Sequence, residues 1–136
     1  MKKEFSTKWK ASKKIRKQRK YRARAPLHIK QKMTGANLSK ELRKKYSKRS
    51  ISLRKGDTIK VMRGKFKGKT GKVASVSLEK TRATVEGIQR QKKDGTKISI
   101  VFAISNLQIT SLNLDDKKRF KKIKKEENVP EKKQDK

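Results

Sequence analysis

Residues 54–73 read RKGDTIKVMRGKFKGKTGKV, and they carry the clearest structural signal in the chain. In the first half, apolar residues alternate with polar ones, which predicts a strand over 58–63 with Ile59 and Val61 facing inward. The middle is a short loop bounded by glycines. Val73 then belongs to a second strand over 72–78. The stretch therefore predicts two β-strands joined by a tight turn.

Apolar residues continue to alternate after this stretch, which predicts three more strands over 82–86, 97–102 and 107–114. Asp94-Gly95 is a strong turn signal between the first two of them. The side chains expected to face inward are Ala83, Val85, Ile98, Ile100, Phe102, Leu107, Ile109, Leu112 and Leu114.

The parity of the apolar positions changes within two of the five strands. It shifts from Val73 to Val76 and Leu78 in the second strand, and from Ile109 to Leu112 in the last. A β-bulge produces such a shift, because it adds one residue and bends the strand. Five short strands, two of them bent, predict a mainly β fold in the form of a small closed or half-open barrel.

The charge is distributed unevenly along the 136 residues, which include 44 Lys and Arg, 12 Asp and Glu and a net charge of +32. We expect a basic RNA-binding arm over 1–36, a short helix and connection over 37–50, the barrel over 51–114, and a short helix with a charged tail over 115–136. Leu38, Leu42 and Tyr46, spaced by four, place the first helix at 38–46 with Asn37 or Ser39 as its cap. Asp115-Asp116 favours the start of the second helix, because acidic residues are stabilising at the positive end of the helix dipole.

Composition excludes several classes of function. So large a positive charge requires a polyanion, and nucleic acid fits best. No stretch approaches about 18 consecutive apolar residues, so membrane insertion is not expected. Cysteine is absent, which excludes disulfides and thiolate metal sites and favours an intracellular protein. One histidine and twelve scattered acids offer no catalytic arrangement. We therefore expect that the protein is not an enzyme and that it binds no cofactor and no metal.

The glycine loop superficially resembles a phosphate-binding loop, but it has one residue too few between Gly64 and Gly68 and lies between two strands. A tight turn shaped by Gly64, Gly68 and Gly71 is the better interpretation. Phe66, at the tip, either stacks on an unpaired base or folds back over the barrel end. Five cations line the rim of this loop: Arg63, Lys65, Lys67, Lys69 and Lys72.

The basic run over 13–24 predicts contact with nucleic acid along the arm. A nuclear import signal would explain a short run, but not the positive charge of the first fifty residues. Arginine adds bidentate phosphate contacts and stacking. Trp9 and Tyr21 have no core of their own and are candidate contact aromatics, either for RNA or for a neighbouring protein. His28 is expected to contact RNA by stacking or hydrogen bonding, with a solvated loop residue as the alternative, and it is not expected to act as a general base.

The 54–73 stretch resembles the KOW motif of ribosomal proteins and transcription elongation factors. The flanks match as well: APLHI at 25–29, LSKELRKKY at 38–46, VEGI at 85–88 and LNLDDKKR at 112–119. Together they resemble the archaeal and eukaryotic form of ribosomal large-subunit protein twenty-four, over about 13–119. Two positions depart from that pattern: Ala103-Ile104 replaces a His-Pro pair, and Arg24 replaces a smaller polar residue.

This resemblance implies an SH3-like (KOW) barrel bound to large-subunit ribosomal RNA, early action in subunit assembly and a place near the nascent-peptide tunnel exit. It also implies neighbouring ribosomal proteins as partners, a cytoplasmic ribosomal location and no homo-oligomer. Together with the residue patterns above, it gives these expected RNA-binding residues: Arg16, Lys17, Arg19, Lys20, Tyr21, Arg22, Arg24, His28, Arg43, Lys44, Arg49, Arg63, Lys65, Phe66, Lys67, Lys69 and Lys72.

Two rival functions share some of these features. A KOW-type elongation factor would carry a mixed α/β domain before the motif, where this chain has mostly arm. An architectural DNA-binding protein shares the charge but has no need of the matching block at 25–46.

Overall fold

The computed structural model describes residues 4–115 and Arg119. Its strands are β1 (Gly35–Leu38), β2 (Ser50–Ser52), β3 (Thr58–Val61), β4 (Thr70–Ser77), β5 (Arg82–Gln91), β6 (Lys97–Ala103) and β7 (Leu107–Ser111). Its helices are α1 (Ile15–Arg24), α2 (Leu27–Met33) and α3 (Lys40–Tyr46), with 3-10 turns at Thr7–Ala11 and Ile104–Asn106. The strands form one sheet in the order β2-β1-β7-β3-β4-β5-β6. The predicted mainly β class is confirmed.

All five predicted strands are present, as β3 to β7, and two additional strands bring the sheet to seven. The two additional strands, β1 and β2, pair with each other antiparallel, and β1 also pairs parallel with β7. Leu38, expected in a helix, is fully buried in β1. The helix begins two residues later, where the Ser39 hydroxyl accepts a hydrogen bond from the Leu42 backbone N–H at 3.3 Å. Ser39 is therefore the cap, one of the two candidates.

Both predicted bulges are present. The pairing of β4 with β5 shifts register between Val73 and Ser75, and β7 gains a residue where Thr58 pairs with Ser111 and Ile59 pairs with Ile109. A third irregularity was not predicted. It lies in β5 around Gly87, whose φ is 75°, and it lets this strand continue to Gln91 instead of ending at residue 86.

The core lies between β1, β3, β4, β5, β7 and the inner end of β6, where Phe102 is buried. Most of the side chains expected to face inward are buried there, and Val76 and Ile100 pack against the core while half-buried. The expectation is wrong for Leu78, Ile98 and Leu114, which are 38%, 42% and 62% exposed. Each lies at or beyond the end of a strand, where the core no longer covers the inner face.

The arm also differs from expectation, because much of it is helical. α1 carries few apolar residues and buries none of its side chains. The C-terminal helix expected from Asp115-Asp116 lies outside the described residues, apart from Asp115 and Arg119. The four segment boundaries remain predictions.

A buried ion pair fastens the chain beyond β7 to the barrel. The carboxylate of Asp57, fully buried, accepts hydrogen bonds from both terminal nitrogens of Arg119, at 2.7 and 2.8 Å. It also accepts from the backbone N–H groups of Arg54 and Asn113, at 2.8 and 2.9 Å. Arg119 in turn donates to the carbonyl of Ser52 at 3.0 Å. We call this arrangement the Asp57–Arg119 clasp.

Gly71 lies inside β4, so the expectation that it shapes the turn is wrong. A Cβ at this position would lie 2.7 Å from Val85 Cγ1 and 2.8 Å from the carbonyl oxygen of Glu86. Both atoms belong to β5, and the second is backbone that cannot rotate away. Glycine therefore permits the close approach of β4 and β5.

Replacing Gly71 by Ala is expected to lower the free energy of unfolding by about 1–3 kcal/mol, since the added methyl group must push β5 away. Gly35→Ala is the matched control, because a Cβ there meets nothing closer than 3.8 Å, and its effect should stay within about 0.5 kcal/mol. Urea denaturation measures both. Equal losses in the two variants would contradict the steric role given to Gly71.

Candidate nucleic-acid interface

Six of the ten residues of α1 are cations, and the helix contains no acid. Arg16, Lys17, Arg19, Lys20, Arg22 and Arg24 are exposed, except Lys20, which is half-buried. Successive residues point about 100° apart around a helix, so six positions among ten distribute the charge over most of its circumference. α1 thus presents positive charge in several directions along a rod about 15 Å long.

Two sets of contacts hold the preceding chain against α1. The Gln18 side-chain nitrogen lies 3.2, 2.9 and 2.8 Å from the carbonyl oxygens of Trp9, Lys10 and Ser12, at the end of the first 3-10 turn. Phe5 stacks on Tyr21 with ring centroids 5.4 Å apart. Tyr21, an expected RNA contact, therefore already has an aromatic partner within the chain, and the cations of α1 are displayed on a folded unit.

Four other residues before the barrel were expected to bind RNA, and three of them are exposed while the fourth makes a contact within the fold. His28 on α2, Lys44 on α3 and Arg49 just before β2 are exposed. Arg43 is half-buried, and its Nε donates to the carbonyl of Leu38 at 2.9 Å. Arg43 thus ties α3 to the end of β1, which leaves only part of its guanidinium for another ligand.

The β3–β4 loop, residues 62–69, is a tight turn with a positively charged rim. Gly64 and Gly68 have φ values of 88° and 89°, in the left-handed region that glycine adopts without strain. Gly68 N–H donates to the carbonyl of Val61 at 2.8 Å, which closes the loop onto β3. The rim cations are all exposed: Arg63, Lys65, Lys67, Lys69 and, in β4, Lys72.

Phe66 folds back onto the barrel, which is the second of its two expected placements. Its ring meets Phe102 edge to face, with centroids 6.1 Å apart, and the Lys69 ammonium lies 5.4 Å from its centroid. The side chain is half-buried against the core. Phe66 is therefore mainly a packing residue, and only its exposed part is available to a ligand.

Two open grooves contain cations that the sequence patterns did not single out. The first, about 1200 Å³, lies between α2, β2 and β4, and its lining includes Lys32, Lys48, Arg54 and Lys55. The second, about 1090 Å³, lies between the β3–β4 loop and the outer end of β5 and β6, with Arg90, Lys92 and Lys93 beside Lys65. Lys92 and Lys93 directly precede the Asp94-Gly95 turn. Their position beside a predicted hairpin turn could have marked them in the sequence as candidate RNA contacts.

Among the described residues there is no group of three or more His, Asp or Glu side chains that could hold a metal ion. In that same part of the chain, no helix is long and apolar enough to cross a membrane.

Comparison with known proteins gives consistent matches over most of the chain. The model of the family described as the eukaryotic ribosomal proteins L26 and their archaeal counterparts matches residues 12–126. A Methanosarcina barkeri protein named large ribosomal subunit protein uL24 is 49% identical over 114 residues, which cover 84% of this chain and 98% of the relative. A Methanothrix thermoacetophila protein of the same name is 50% identical over 110 residues, covering 81% and 95%. The family match includes every element from α1 to β7.

Proposed function

The chain belongs to the family of eukaryotic L26 ribosomal proteins and their archaeal counterparts, and on that premise we propose that it binds large-subunit ribosomal RNA through its basic surfaces. As a member of a ribosomal protein family it is a structural component of the ribosome in the cytoplasm and not an enzyme. Its partners in that assembly are ribosomal RNA and other ribosomal proteins.

The single observation that carries the RNA-binding proposal is the charge of α1. Six cations on ten residues, without an acid, repel one another unless phosphates neutralise them. Arginine and lysine contacts with phosphate also release condensed counterions, which is the dominant source of nonspecific affinity for nucleic acid. The rim of the β3–β4 loop would provide a second set of phosphate contacts.

Two finer proposals follow from the family resemblance. The protein acts early in large-subunit assembly, and it lies near the exit of the nascent-peptide tunnel as a single copy. A folded arm beside a barrel supports the first of these, because separate cationic surfaces on one small protein can bridge RNA segments that are distant in sequence.

Sedimentation of a cell lysate through a sucrose gradient tests the proposed function. The protein should comigrate with the large subunit at physiological salt and remain there at high salt, because burial among RNA and protein partners retains it when phosphate contacts weaken. Loss from that peak, with recovery alongside polymerase or chromatin, would overturn the proposal in favour of an elongation factor or an architectural DNA-binding protein.

A further inference from the structure

The groove between the β3–β4 loop and the outer end of the β5–β6 hairpin is a second candidate ligand site. It encloses about 1090 Å³. Its wall on the loop side consists of Lys65 and Phe66, and the hairpin forms the remainder. We call it the hairpin groove. It is separate from α1, whose cations carry the proposed function.

The irregularity in β5 shapes this groove. Thr84 pairs with Val101 and Gln89 pairs with Ser99, so five steps along β5 correspond to two along β6. The additional residues surround Gly87, with its positive φ, and they bend the hairpin. Beyond the bend, regular pairing resumes from Gln89 to Gln91, and the walls of the groove come from this outer part.

The floor of the hairpin groove is an apolar strip. Phe102, Ile100 and Ile98 lie on the same face of β6, because they are separated by two residues. Phe102 is buried against Phe66, Ile100 is half-buried, and Ile98 is 42% exposed. The strip therefore leaves the core and continues into solvent beneath the groove, and no apolar neighbour in the described part of the chain buries its outer end.

The walls carry positive charge and amide groups. Four cations line the groove, Lys65, Arg90, Lys92 and Lys93, against one acid, Asp94. Gln89 and Gln91 are also among the residues that line it, and glutamine has both hydrogen-bond donors and an acceptor. A ligand that fits must combine negative charge with flat apolar faces and polar edges.

An unpaired nucleotide segment has that combination. Bases pack against aromatic and apolar side chains, their edges hydrogen-bond to amides, and phosphates pair with cations. An acidic peptide would satisfy the cations but leave the Ile98 end of the strip exposed to water. We propose that the hairpin groove binds a single-stranded segment of RNA, with bases over Ile98 and the exposed part of Phe66 and phosphates along the four cations. This inference rests on the proposed ribosomal RNA function and adds a base-contacting site to it.

The test compares two neutral substitutions on the same strand, Ile98→Ser and Val101→Ser, in the full chain. Both remove an exposed β-branched side chain from β6 without changing the charge, but Val101 lies on the opposite face and outside the groove. The probes are a short oligouridylate and an abasic oligomer of equal length. Binding is measured at raised salt, where contacts to phosphate alone contribute less.

We expect Ile98→Ser to weaken oligouridylate binding about fivefold, because the apolar surface that a base would cover is lost. Val101→Ser should change it less than about twofold, and the abasic oligomer should bind both variants and the unchanged chain alike. Equal effects of the two variants on oligouridylate would overturn the inference. So would preferential, Ile98-dependent binding of an oligoglutamate peptide.

The outcomes also separate this inference from the proposed function. If Ile98→Ser has no effect on the oligomer while the protein still remains on the large subunit at high salt, only the base-contacting groove fails. If the unchanged chain binds neither the oligomers nor the large subunit, both fail.

Discussion

Replacement of Asp57 by Asn is expected to remove about 3–5 kcal/mol from the free energy of unfolding. The carboxylate is fully buried, and it accepts four hydrogen bonds, two of them from Arg119. An amide would leave the guanidinium buried without its counter-charge, and it would turn an NH2 group toward at least one donor. A small domain has only about 5–15 kcal/mol in total, so the variant should lie near the limit of folding.

Urea denaturation of the full chain measures this loss, with Asp94→Asn as the matched control. Asp94 is exposed in the β5–β6 turn, and Asn-Gly suits a hairpin turn as well as Asp-Gly does, so the control should change stability by less than about 0.5 kcal/mol. Arg119→Ala should be nearly as damaging as Asp57→Asn, and the double variant Asp57→Asn/Arg119→Ala less damaging than their sum. If Asp57→Asn lowers the free energy of unfolding no more than Asp94→Asn does, the stabilising role of the Asp57–Arg119 clasp is contradicted.

Substitution of Gln for all six α1 cations is expected to have the largest effect on RNA binding. If each contacts a phosphate, the slope of log affinity against log salt should fall by about 4–5. Between about 50 and 200 mM salt, the affinity of the unchanged chain would then drop by a factor about 250 to 1000 larger than the drop for the variant. Titration of a large-subunit ribosomal RNA transcript at several salt concentrations gives both slopes.

A charge-preserving variant serves as the control. Replacing Arg16, Arg19, Arg22 and Arg24 by Lys keeps every positive charge but removes the planar guanidinium groups. Its salt slope should equal that of the unchanged chain, with a moderate loss of affinity from the lost bidentate contacts. Equal slopes for the Gln variant and the unchanged chain would show that α1 does not contact phosphate.

The sequence predicted those features of the fold that depend on local alternation. Ile59, Val61, Val73 and Ile109 alternate within their strands, and all four are fully buried. The changes of parity after Val73 and Ile109 predicted two bulges, because an inserted residue moves later side chains to the opposite face. The third irregularity contains Gly87, but strand alternation had already ended at residue 86, so nothing showed that β5 continued.

Other features depend on partners distant in sequence and could not be predicted from local pattern. Leu38 fits the spacing of the α3 helix, but pairing with β7 places it in a strand. Ile98 alternates correctly with Ile100 and Phe102, yet alternation does not reveal how far the core extends beneath a strand. Arg119 is one cation in a lysine-rich segment, and only the fold brings it to Asp57.

The candidate site likewise has parts that local sequence predicted and parts that only the fold brings together. The basic arm and the rim of the β3–β4 loop were evident from composition and spacing, although their contact with RNA remains a prediction. The hairpin groove was not evident, since it combines Phe66, Arg90 and Ile98 from separate strands and a loop. Helix formation by α1 was also missed, because a helix without an apolar face has no periodic signal.

The parallel pairing of β1 with β7 imposes an order on folding during synthesis. Leu38 pairs with Ile109, and the side-chain amide of the neighbouring Gln108, 70 residues after Leu38 in sequence, donates a hydrogen bond to the Leu38 carbonyl. Translation proceeds from the N-terminus, so β1 emerges long before the strand that must lie beside it. The cationic first segment is thus available to a polyanion while the barrel still awaits its final strand. If α1 binds RNA as proposed, we expect a nascent chain of this protein to do so before it has completed its own fold.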